Sequence, residues 1–181
     1  MRIVSGKYKG RHISPPKNFR ARPTTDFAKE NIFNILNNNF DFSELDVLDL
    51  FSGTGSISYE FASRECISVI SIESNFKHHL FIKKTIEELG LQNVKTIKSD
   101  AFRYVKSCNK TFDIIFADPP YELKEIETIP SYIFEHQILK KDGWLIVEHG
   151  DKTNFSKQAG FKETRKYGGV NFSIFEHYEK S

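Results

Sequence analysis

The sequence predicts an α/β fold in which helices cover both faces of a mostly parallel β-sheet. Short apolar segments of strand length alternate with segments of helical length, which gives five strand–helix units along the chain. Acidic residues stand at the ends of the first four predicted strands, where open α/β sheets hold their ligands. Two further predicted strands close around Gly168-Gly169 as an antiparallel hairpin.

Length, composition and cysteine content are those of one globular domain in a reducing compartment. The chain has 181 residues, of which 39% are hydrophobic and 28% charged, and this is enough for one core and a small appendage. Cys66 and Cys108 lack the spacing of a zinc site. No apolar run approaches the ~18 residues of a membrane span, and no signal peptide is recognisable. We therefore expect a cytoplasmic protein without a metal.

The charge distribution predicts a basic N-terminal arm. Seven of the 26 Lys and Arg side chains lie within residues 1–25, and all 24 acidic side chains lie in the remainder. A basic arm on a mildly acidic body is typical of a protein that contacts a polyanion at one end. We therefore divide the chain into an arm, residues 1–23, and a main domain, residues 24–181.

Residues 2–13 of the arm are predicted to form a short β-hairpin with Gly6 and Gly10 as turn or bulge residues. Basic side chains are interleaved there with Tyr8 and glycines, a pattern that fits contacts to phosphates and bases. The alternative interpretation is a solvent-exposed edge hairpin that is basic without a partner. Under the first interpretation the candidate contacts to nucleic acid are Lys7, Arg11, Arg20 and Arg22.

The next predicted element is a helix that is capped by Thr24-Thr25-Asp26 and runs to about Asn38. Its inner face is expected to carry Ile32, Ile35 and Leu36. This helix should cover one end of a cleft at the edge of the sheet. The threonine hydroxyls at its start are either plain helix caps or contacts to a ligand, and Thr25 is therefore a candidate binding residue.

The first predicted strand, residues 45–50, leads into a glycine-rich turn and a helix over about 56–64. Gly53 and Gly55 allow the backbone to approach a ligand and open the helix N-terminus towards it. The dinucleotide fingerprint GxGxxG would need a third glycine where this chain has Ser58, so an amino-acid-like group is favoured over a pyrophosphate. Asp49, at the strand end, is placed to attract an ammonium group.

Acidic residues also end the second and third predicted strands. Residues 68–73 end in Glu73, whose carboxylate is able to accept from both hydroxyls of a ribose. Residues 93–99 lead to Asp100, which is placed to accept from an adenine amino group. Taken singly, each acid is better explained as a helix N-cap, and it is their recurrence at successive strand ends that favours a ligand. Helices are predicted after these strands, at about 75–89 and 101–107.

The fourth predicted strand, residues 112–117, is an apolar run that ends in Asp118-Pro119-Pro120-Tyr121. The run lacks polar alternation and is therefore predicted to be buried on both faces. Each proline fixes φ and donates no N–H, so the turn offers carbonyl oxygens and the Asp118 carboxylate beside the aromatic face of Tyr121. Such a cluster of acceptors suits a flat molecule that carries an amino group, and a nucleobase is the obvious candidate.

The remaining segments complete the predicted sheet. A helix is predicted at about 130–139, a fifth strand at 143–148 and two closing strands at 161–167 and 171–178. We find no internal repeat, low-complexity tract or long linker.

In combination, these motifs resemble those of class I S-adenosylmethionine (SAM)-dependent methyltransferases. More narrowly, the chain resembles the RsmD family, which methylates the N2 amine of a guanine in bacterial small-subunit (16S) ribosomal RNA. The resemblance implies a Rossmann-like, seven-stranded sheet of order 3-2-1-4-5-7-6. One departure is Ser56-Ile-Ser58, where the family more often has small residues and a further glycine. The segments that carry the resemblance are Arg2–Arg11, Arg22-Pro-Thr-Thr-Asp26, Asp49–Gly55, Asp118-Pro-Pro-Tyr121 and Lys166-Tyr-Gly168.

The resemblance also implies roles for individual residues. Asp118 and Pro119 would hold the two N–H bonds of the amine, and Asp118 would receive the proton. Tyr121 would stack on the base, and Pro120 completes this catalytic turn. The expected partner is ribosomal RNA, the expected cofactor is SAM, and we expect a monomer. The expected cofactor contacts are Asp49, Gly53 and Gly55 at the methionine end, Glu73 at the ribose, Asp100 and Ala101 at the adenine, and in addition Thr25, Phe51 and Ser74.

Other functions share part of this pattern. Methyltransferases that act on adenine N6 in DNA or on protein glutamine have the same proline turn, although a DNA enzyme usually needs a further recognition domain. An NAD-dependent oxidoreductase is disfavoured by Ser58 and by the proline turn. A non-catalytic RNA-binding module is the alternative outside the enzymes.

Overall fold

The computed structural model describes residues 1–17, 19 and 24–177. Arg20 and Arg22, two of the predicted RNA contacts, lie outside this range. Within it, no helix is both long and apolar enough to cross a membrane.

The sheet has seven strands within the described residues, in the order β3-β2-β1-β4-β5-β7-β6. This confirms the order that the family resemblance implies. Strands β1 to β5 are parallel, whereas β7 lies antiparallel between β5 and β6. The strands are β1 (Asp46–Leu50), β2 (Ser68–Glu73), β3 (Val94–Lys98), β4 (Phe112–Ala117), β5 (Leu139–His149), β6 (Phe161–Tyr167) and β7 (Val170–Glu176).

The first four α-helices begin and end close to where the local sequence predicts. Thr25 caps the first helix by accepting a hydrogen bond from the Ala28 amide at 3.1 Å. Asn75 caps the third helix, which ends at Gly90, where φ is +65°. Left-handed backbone of this kind favours glycine and stops the helix. In the described part of the chain the α-helices are α1 (Asp26–Asn39), α2 (Ser56–Ser63), α3 (Phe76–Leu89), α4 (Ala101–Ser107) and α5 (Ile129–Glu135).

Helices cover both faces of the sheet, so the buried apolar side chains of the described residues fall into two clusters. The cluster on one face contains side chains of α1, α2 and α3, and the cluster on the other contains side chains of α4 and α5. Successive residues of β4 alternate between them, with Ile114 and Phe116 in the first and Ile115 and Ala117 in the second. Because both faces of β4 are buried, apolar and polar residues do not alternate along it, and this explains the uninterrupted apolar run.

The boundary between α5 and β5 differs from the prediction. The helix was expected over about 130–139, but it ends at Glu135, and β5 begins already at Leu139. Gln137 has a φ of +52°, which cannot continue a right-handed helix. Leu139 pairs with Phe112 of β4 and is buried there. Pairing with β4 thus places Leu139 in a strand, although this apolar residue would also fit the helical pattern.

The predicted N-terminal hairpin is not confirmed as a pair of strands. Within the described residues its two limbs are joined by an isolated antiparallel bridge between Arg2 and His12 and by a few further backbone hydrogen bonds. The segment is instead held against α2, because the Lys7 amide donates to the Ser63 carbonyl at 2.7 Å. A side chain at Gly6, where φ is +82°, would place its Cβ only 1.9 Å from the same carbonyl oxygen. Only glycine permits this approach.

Four residues fix the N-terminal segment to the domain, and we call them the N-terminal anchor: Lys29, Glu60, Ser63 and Arg64. Glu60, at 0% exposure, accepts from the Val4 and Ser5 amides at 2.9 and 3.0 Å and from Arg64 at 2.7 Å. The Lys29 ammonium donates to the Arg2 carbonyl at 2.5 Å and lies 3.7 Å from Glu60. The anchor therefore combines buried charges of opposite sign with backbone hydrogen bonds.

Candidate active site

A cavity of about 550 Å³ lies at the carboxyl edge of the parallel strands, between the start of α1 and the proline turn. This volume is in the ordinary range for a small-molecule site. The carboxyl ends of parallel strands meet at one edge of a sheet, which is why residues distant in sequence converge here. Of the residues predicted as catalytic or cofactor-binding, those in its wall are Thr25, Asp49, Phe51, Gly53, Glu73, Ser74, Asp100, Ala101, Asp118, Pro119, Pro120 and Tyr121.

Asp49 is a buried carboxyl group in the wall of this cavity. Its side chain belongs to β1, is 1% exposed, and accepts a hydrogen bond from the Ser58 hydroxyl at 2.5 Å. Burial raises the pKa of Asp49 to about 7, although the serine hydrogen bonds lower it. In residues 1–17, 19 and 24–177, no Lys, Arg or His side chain forms an ion pair with it. A carboxyl group desolvated in this way suits a ligand that brings its own positive charge.

The glycine-rich turn holds its shape by backbone geometry. Phe51, which is not a glycine, has a φ of +61°, and Gly53 has a φ of +55°. The Ser52 amide donates to the Ile72 carbonyl at 2.9 Å, which ties the turn to β2. Left-handed backbone at a non-glycine residue is uncommon and is found preferentially at functional sites.

Gly55, which was expected to contact the cofactor, does not line the cavity. A Cβ at this position would lie 2.5 Å from the Tyr59 ring, so the glycine is needed to let α2 pack there. Its φ of +82° also places it as the N-cap of α2. The structure thus gives Gly55 a packing role in the loop, and its contact with the cofactor stays a prediction.

Glu73 is held between the glycine-rich turn and the start of α3. One carboxylate oxygen accepts from the Gly53 amide and the other from the Asn75 amide, both at 2.7 Å. The His78 ring nitrogen lies 4.0 Å away. These contacts fix the orientation of a carboxylate that lines the cavity, and each oxygen keeps a further lone pair that is able to accept from a hydroxyl group.

The far end of the cavity is formed by Asp100 and Ala101 at the start of α4. Asp100 caps this helix by accepting from the Arg103 amide at 2.9 Å, and it also lines the cavity. The cap and the ligand interpretations of this residue are therefore compatible. Ser74 lies on the same side of the cavity, next to Glu73.

Asp118 follows β4 directly and shares the cavity with Asp49. The register that pairs Leu50 with Ala117 brings these two acidic residues to neighbouring strand ends. Burial raises the pKa of Asp118 well above its usual range, and the carboxylates of Glu148 and Asp49 raise it further. The side chain keeps some exposure to the cavity, so a bound ligand is able to reach it. A carboxylate with a raised pKa is an effective proton acceptor near neutral pH.

The proline turn lies in the wall of the cavity. Pro119 is buried and Pro120 is exposed, and neither has an N–H to donate. The Asp118 amide donates to the Leu50 carbonyl at 3.3 Å, which ties the turn to the end of β1, and Asp118 itself lines the cavity. Tyr121 is 42% exposed, and its hydroxyl donates to Glu148 at 3.1 Å.

The sequence prediction missed Glu148, a buried residue in the wall of the same cavity. It accepts from the Thr24 hydroxyl at 2.9 Å as well as from Tyr121. The signal was present, because Glu148 stands at the end of the fifth predicted strand, as Asp49 and Glu73 stand at the ends of earlier ones. His78 and Val170, which also line the cavity, had no comparable signal in the sequence.

The two predicted RNA contacts within the described residues, Lys7 and Arg11, do not line this cavity. Lys7 lines a second cavity of about 910 Å³, whose wall also includes Arg64 and the asparagines at the end of α1. Arg11 is exposed on the N-terminal segment. The structure therefore does not bring these two basic residues into the cavity that holds the acidic cluster, and their role in RNA binding stays a prediction.

The acceptors of the first cavity match the groups of SAM in kind. Asp49 is a desolvated carboxyl group suited to an ammonium, and Glu73 is an oriented carboxylate suited to paired hydroxyls. The loop between Asp49 and Gly55 brings backbone close to the same space. The residues present therefore fit this cofactor.

Comparison with known proteins agrees with this geometry. The family profile described as Conserved hypothetical protein 95 matches residues 1–176. A putative rRNA methyltransferase of Bacillus subtilis, YlbH, is 33% identical over 183 residues, covering 97% of this chain and 98% of that protein. Ribosomal RNA small subunit methyltransferase D of Buchnera aphidicola subsp. Baizongia pistaciae is 32% identical over 154 residues, covering 85% of this chain and 78% of that protein.

Among solved structures, a putative methyltransferase from Escherichia coli, yhhF, superposes with a TM-score of 0.86 and covers 99% of both chains at 23% identity. At that identity the superposition establishes the fold, while the profile match over nearly the whole chain establishes the family. The chain therefore belongs to the Conserved hypothetical protein 95 family, the RsmD-like methyltransferases.

Proposed function

We propose that the protein transfers a methyl group from SAM to the N2 amine of a guanine in small-subunit ribosomal RNA. Family membership supports the class of reaction, a SAM-dependent methylation of ribosomal RNA. The observation that supports an amine as the target is the acceptor corner at Asp118 and Pro119, which opens into the same cavity as Asp49 and Glu73.

The residues predicted to contact the cofactor would bind and orient it. SAM supplies a methyl group on a positively charged sulfur atom, so the chemistry needs good alignment more than further activation. Asp49 would pair with its ammonium group and Glu73 with its ribose hydroxyls. Asp100 would accept from the adenine amine beside Ala101. Three further residues of the wall, Thr25, Phe51 and Ser74, would complete the enclosure.

The acceptor corner orients the target amine. A guanine N2 is a weak nucleophile because its lone pair is delocalised into the ring. The Asp118 carboxylate and the Pro119 carbonyl would accept its two N–H bonds and direct the nitrogen lone pair into the cavity. Since the prolines lack N–H groups, they offer no donor that would compete for these acceptors. Tyr121 would stack on the base, a contact worth about 1–3 kcal/mol on other aromatic platforms.

Asp118 is also the group that takes the proton. As N2 would form its bond to the methyl carbon, the bond from that carbon to sulfur would break and leave a neutral thioether, while positive charge would develop on N2 and make its N–H acidic. Asp118 accepts this proton at the oxygen to which the N–H is already hydrogen-bonded. Burial and the neighbouring carboxylates raise the pKa of Asp118, which makes the transfer more favourable than to an ordinary carboxylate.

The RNA must present the base outside a helix. A paired guanine is stacked, and its N2 lies in the minor groove, so the target would be unpaired or flipped out. Lys7 and Arg11, with Arg20 and Arg22, would contact the flanking phosphates. The exposed position of Arg11 on the segment fixed by the N-terminal anchor is compatible with such a contact.

The test is to locate the methyl group. SAM labelled in its methyl group is incubated with the protein and with separate ribosomal RNA, DNA and protein substrates. We expect label in small-subunit RNA, and N2-methylguanosine after digestion and mass spectrometry. Label found only in protein would favour a glutamine methyltransferase, and label in DNA would favour an adenine methyltransferase; either result contradicts the proposal.

A further inference from the structure

Glu148 ends the parallel part of β5 beside the acceptor corner and takes no part in the methyl transfer as proposed. Its side chain is 4% exposed, yet it lines the cavity that holds Asp118 and Tyr121. The β4–β5 register pairs Ala117 with Val147, so Asp118 and Glu148 occupy the next position on two adjacent strands. Neighbouring strands are about 4.8 Å apart, and the two carboxylates therefore stand side by side at one edge of the sheet.

The orientation of the Glu148 carboxylate is fixed by two hydroxyl groups. Thr24, just before α1, donates to one oxygen at 2.9 Å, and Tyr121 donates to the other at 3.1 Å. The Tyr121 ring lies against Gly150, where an added Cβ would be 3.1 Å from the ring. A carboxylate has about four lone-pair positions, and each of its oxygens is able to accept more than one hydrogen bond.

A second carboxylate beside Asp118 matches one edge of guanine. That edge carries the N2 amine and, next to it, the N1–H, so it presents donors to both carboxylates. Adenine and 2,6-diaminopurine have a lone pair at N1 instead, and a carboxylate facing that lone pair is repelled and unpaired. A site built from two acceptors therefore favours a base with donors at both positions. Binding of an unmatched base would leave a buried polar group unpaired, and this lowers its affinity.

We propose that Glu148 determines specificity for guanine by accepting a hydrogen bond from its N1–H while Asp118 accepts from N2. This inference rests on the proposed function. It goes beyond that function, because Asp118 and Pro119 account for an amine without distinguishing which base carries it. Tyr121 links the two parts, since its ring stacks on the base and its hydroxyl holds the carboxylate that reads the edge of the base.

The experiment compares two acceptor bases that both carry an N2 amine. After the methylated nucleotide has been mapped, short RNAs are made with either guanine or 2,6-diaminopurine at that position, and kcat/KM is measured for each. For the wild-type protein we expect guanine to be preferred by about 10- to 100-fold. For Glu148→Gln we expect this preference to fall by about tenfold or more, because the amide is able to donate to the N1 lone pair of diaminopurine.

Glu125→Gln is the matched control. Glu125 is an exposed acidic residue outside the wall of this cavity, so the substitution makes the same change of charge away from the acceptor corner. We expect its guanine preference to equal that of the wild type. Melting temperature and SAM affinity, measured for both variants, show that each is folded and binds the cofactor.

The outcomes separate the inference from the function on which it rests. A wild-type protein that methylates no guanine at N2 contradicts the proposed function, and with it this inference. If guanine is methylated but diaminopurine is used equally well, the inference about Glu148 fails while the proposed function stands. An unchanged preference in folded Glu148→Gln also overturns it. Should that variant not fold, Glu148→Asp, which keeps the carboxylate, is expected to lower kcat/KM and retain the preference, and loss of the preference there would overturn it.

Discussion

Charged side chains are buried in two regions of this molecule, and their charges are compensated in different ways. In the N-terminal anchor, Glu60 is surrounded by donors: two backbone amides, Arg64 and, at a greater distance, Lys29. In the cavity, Asp49 and Asp118 have other carboxylates as their charged neighbours in the described residues. The first arrangement has its countercharges within the described residues, whereas under the proposed function the second would acquire them from a bound ligand.

The pKa directions express the same contrast. Burial lowers the pKa of Lys29 on balance, while Glu60 and Asp26 act in the opposite direction, so the ammonium has nearby countercharge. For Asp118, burial and neighbouring carboxylates act in the same direction and raise its pKa. Buried groups that disfavour their own charged form are typical of sites where a ligand supplies the missing interaction. Compensation by opposite charge, more than burial, therefore distinguishes the charges of the N-terminal anchor from those of the cavity.

The largest effect is expected at Asp118. Replacing Asp118 by Ala removes an acceptor of the amine and the proton acceptor, so turnover should fall by about 100- to 10,000-fold. SAM affinity should be nearly unchanged, because Asp118 lies on the acceptor side of the cavity. Single-turnover kinetics and calorimetry measure the two quantities, with Asp142→Ala at an exposed position as control. A large loss of SAM affinity would contradict the assigned role.

A substitution in the N-terminal anchor should lower the stability of the protein without acting on the methyl-transfer reaction itself. Glu60→Ala leaves the Lys29 ammonium buried with its main countercharge removed, which typically costs about 3–5 kcal/mol. For a chain of this size that corresponds to a fall of about 6–20 °C in melting temperature. Glu88→Ala breaks an exposed pair with Lys84 and should change the melting temperature little. Equal effects of the two substitutions would remove the distinction drawn for the anchor.

Removing the charge of Asp49 should have the opposite effect to removing that of Glu60 and should raise the stability of the protein. The folded pKa of Asp49, about 7, lies above the ordinary value, so its contribution to stability is present at low pH and is lost as the pH rises to about 7. Asp49→Asn does not ionise and should therefore raise the melting temperature at about pH 8 and change it less at about pH 4. The same substitution should weaken SAM binding by about 10- to 100-fold. A variant that is destabilised at both pH values would refute the interpretation of Asp49 as an uncompensated charge.

The raised pKa of Asp49 also predicts that the SAM affinity of the wild-type protein depends on pH. Under the proposed function the ammonium of the cofactor would pair with the carboxylate form of Asp49, which is depleted as the pH falls below about 7. SAM affinity should therefore decrease by up to about tenfold per pH unit on the acidic side. Calorimetry in buffers of different ionisation enthalpy also reports the proton released on binding. Affinity that is constant across this range would mean that Asp49 is already ionised in the free protein.

The smallest effect is expected on the surface. Lys7→Ala with Arg11→Ala should weaken RNA binding and reduce the slope of log affinity against log salt by about 0.7 for each phosphate that the protein no longer neutralises. Lys106→Ala, an exposed change at the end of α4, should leave the slope unaltered. Because solvent and salt already compensate these charges, the melting temperature should not change. An unaltered slope in the double variant would place the RNA-binding face elsewhere.

Much of the fold follows from local patterns. The proline turn, the caps at Thr25 and Asn75, and the apolar run of β4 are each explained by residues close together in the chain. The error at α5 and β5 arises because Leu139 suits a helix face and a strand equally well, and pairing with Phe112 selects the strand. The candidate site was predicted in outline, since four of its acids end predicted strands, although the same pattern was not applied to Glu148.

Local sequence is thus enough to specify which residues carry charge, where the strands end, and that carboxylates gather at one edge of the sheet. It does not specify which of those charges are neutralised. Glu60 meets the amides of Val4 and Ser5 only because α2 packs against the N-terminal segment, whereas the parallel register sets Asp118 beside Glu148. Electrostatic energy depends on distance and on exclusion of water, and both are properties of the packed chain.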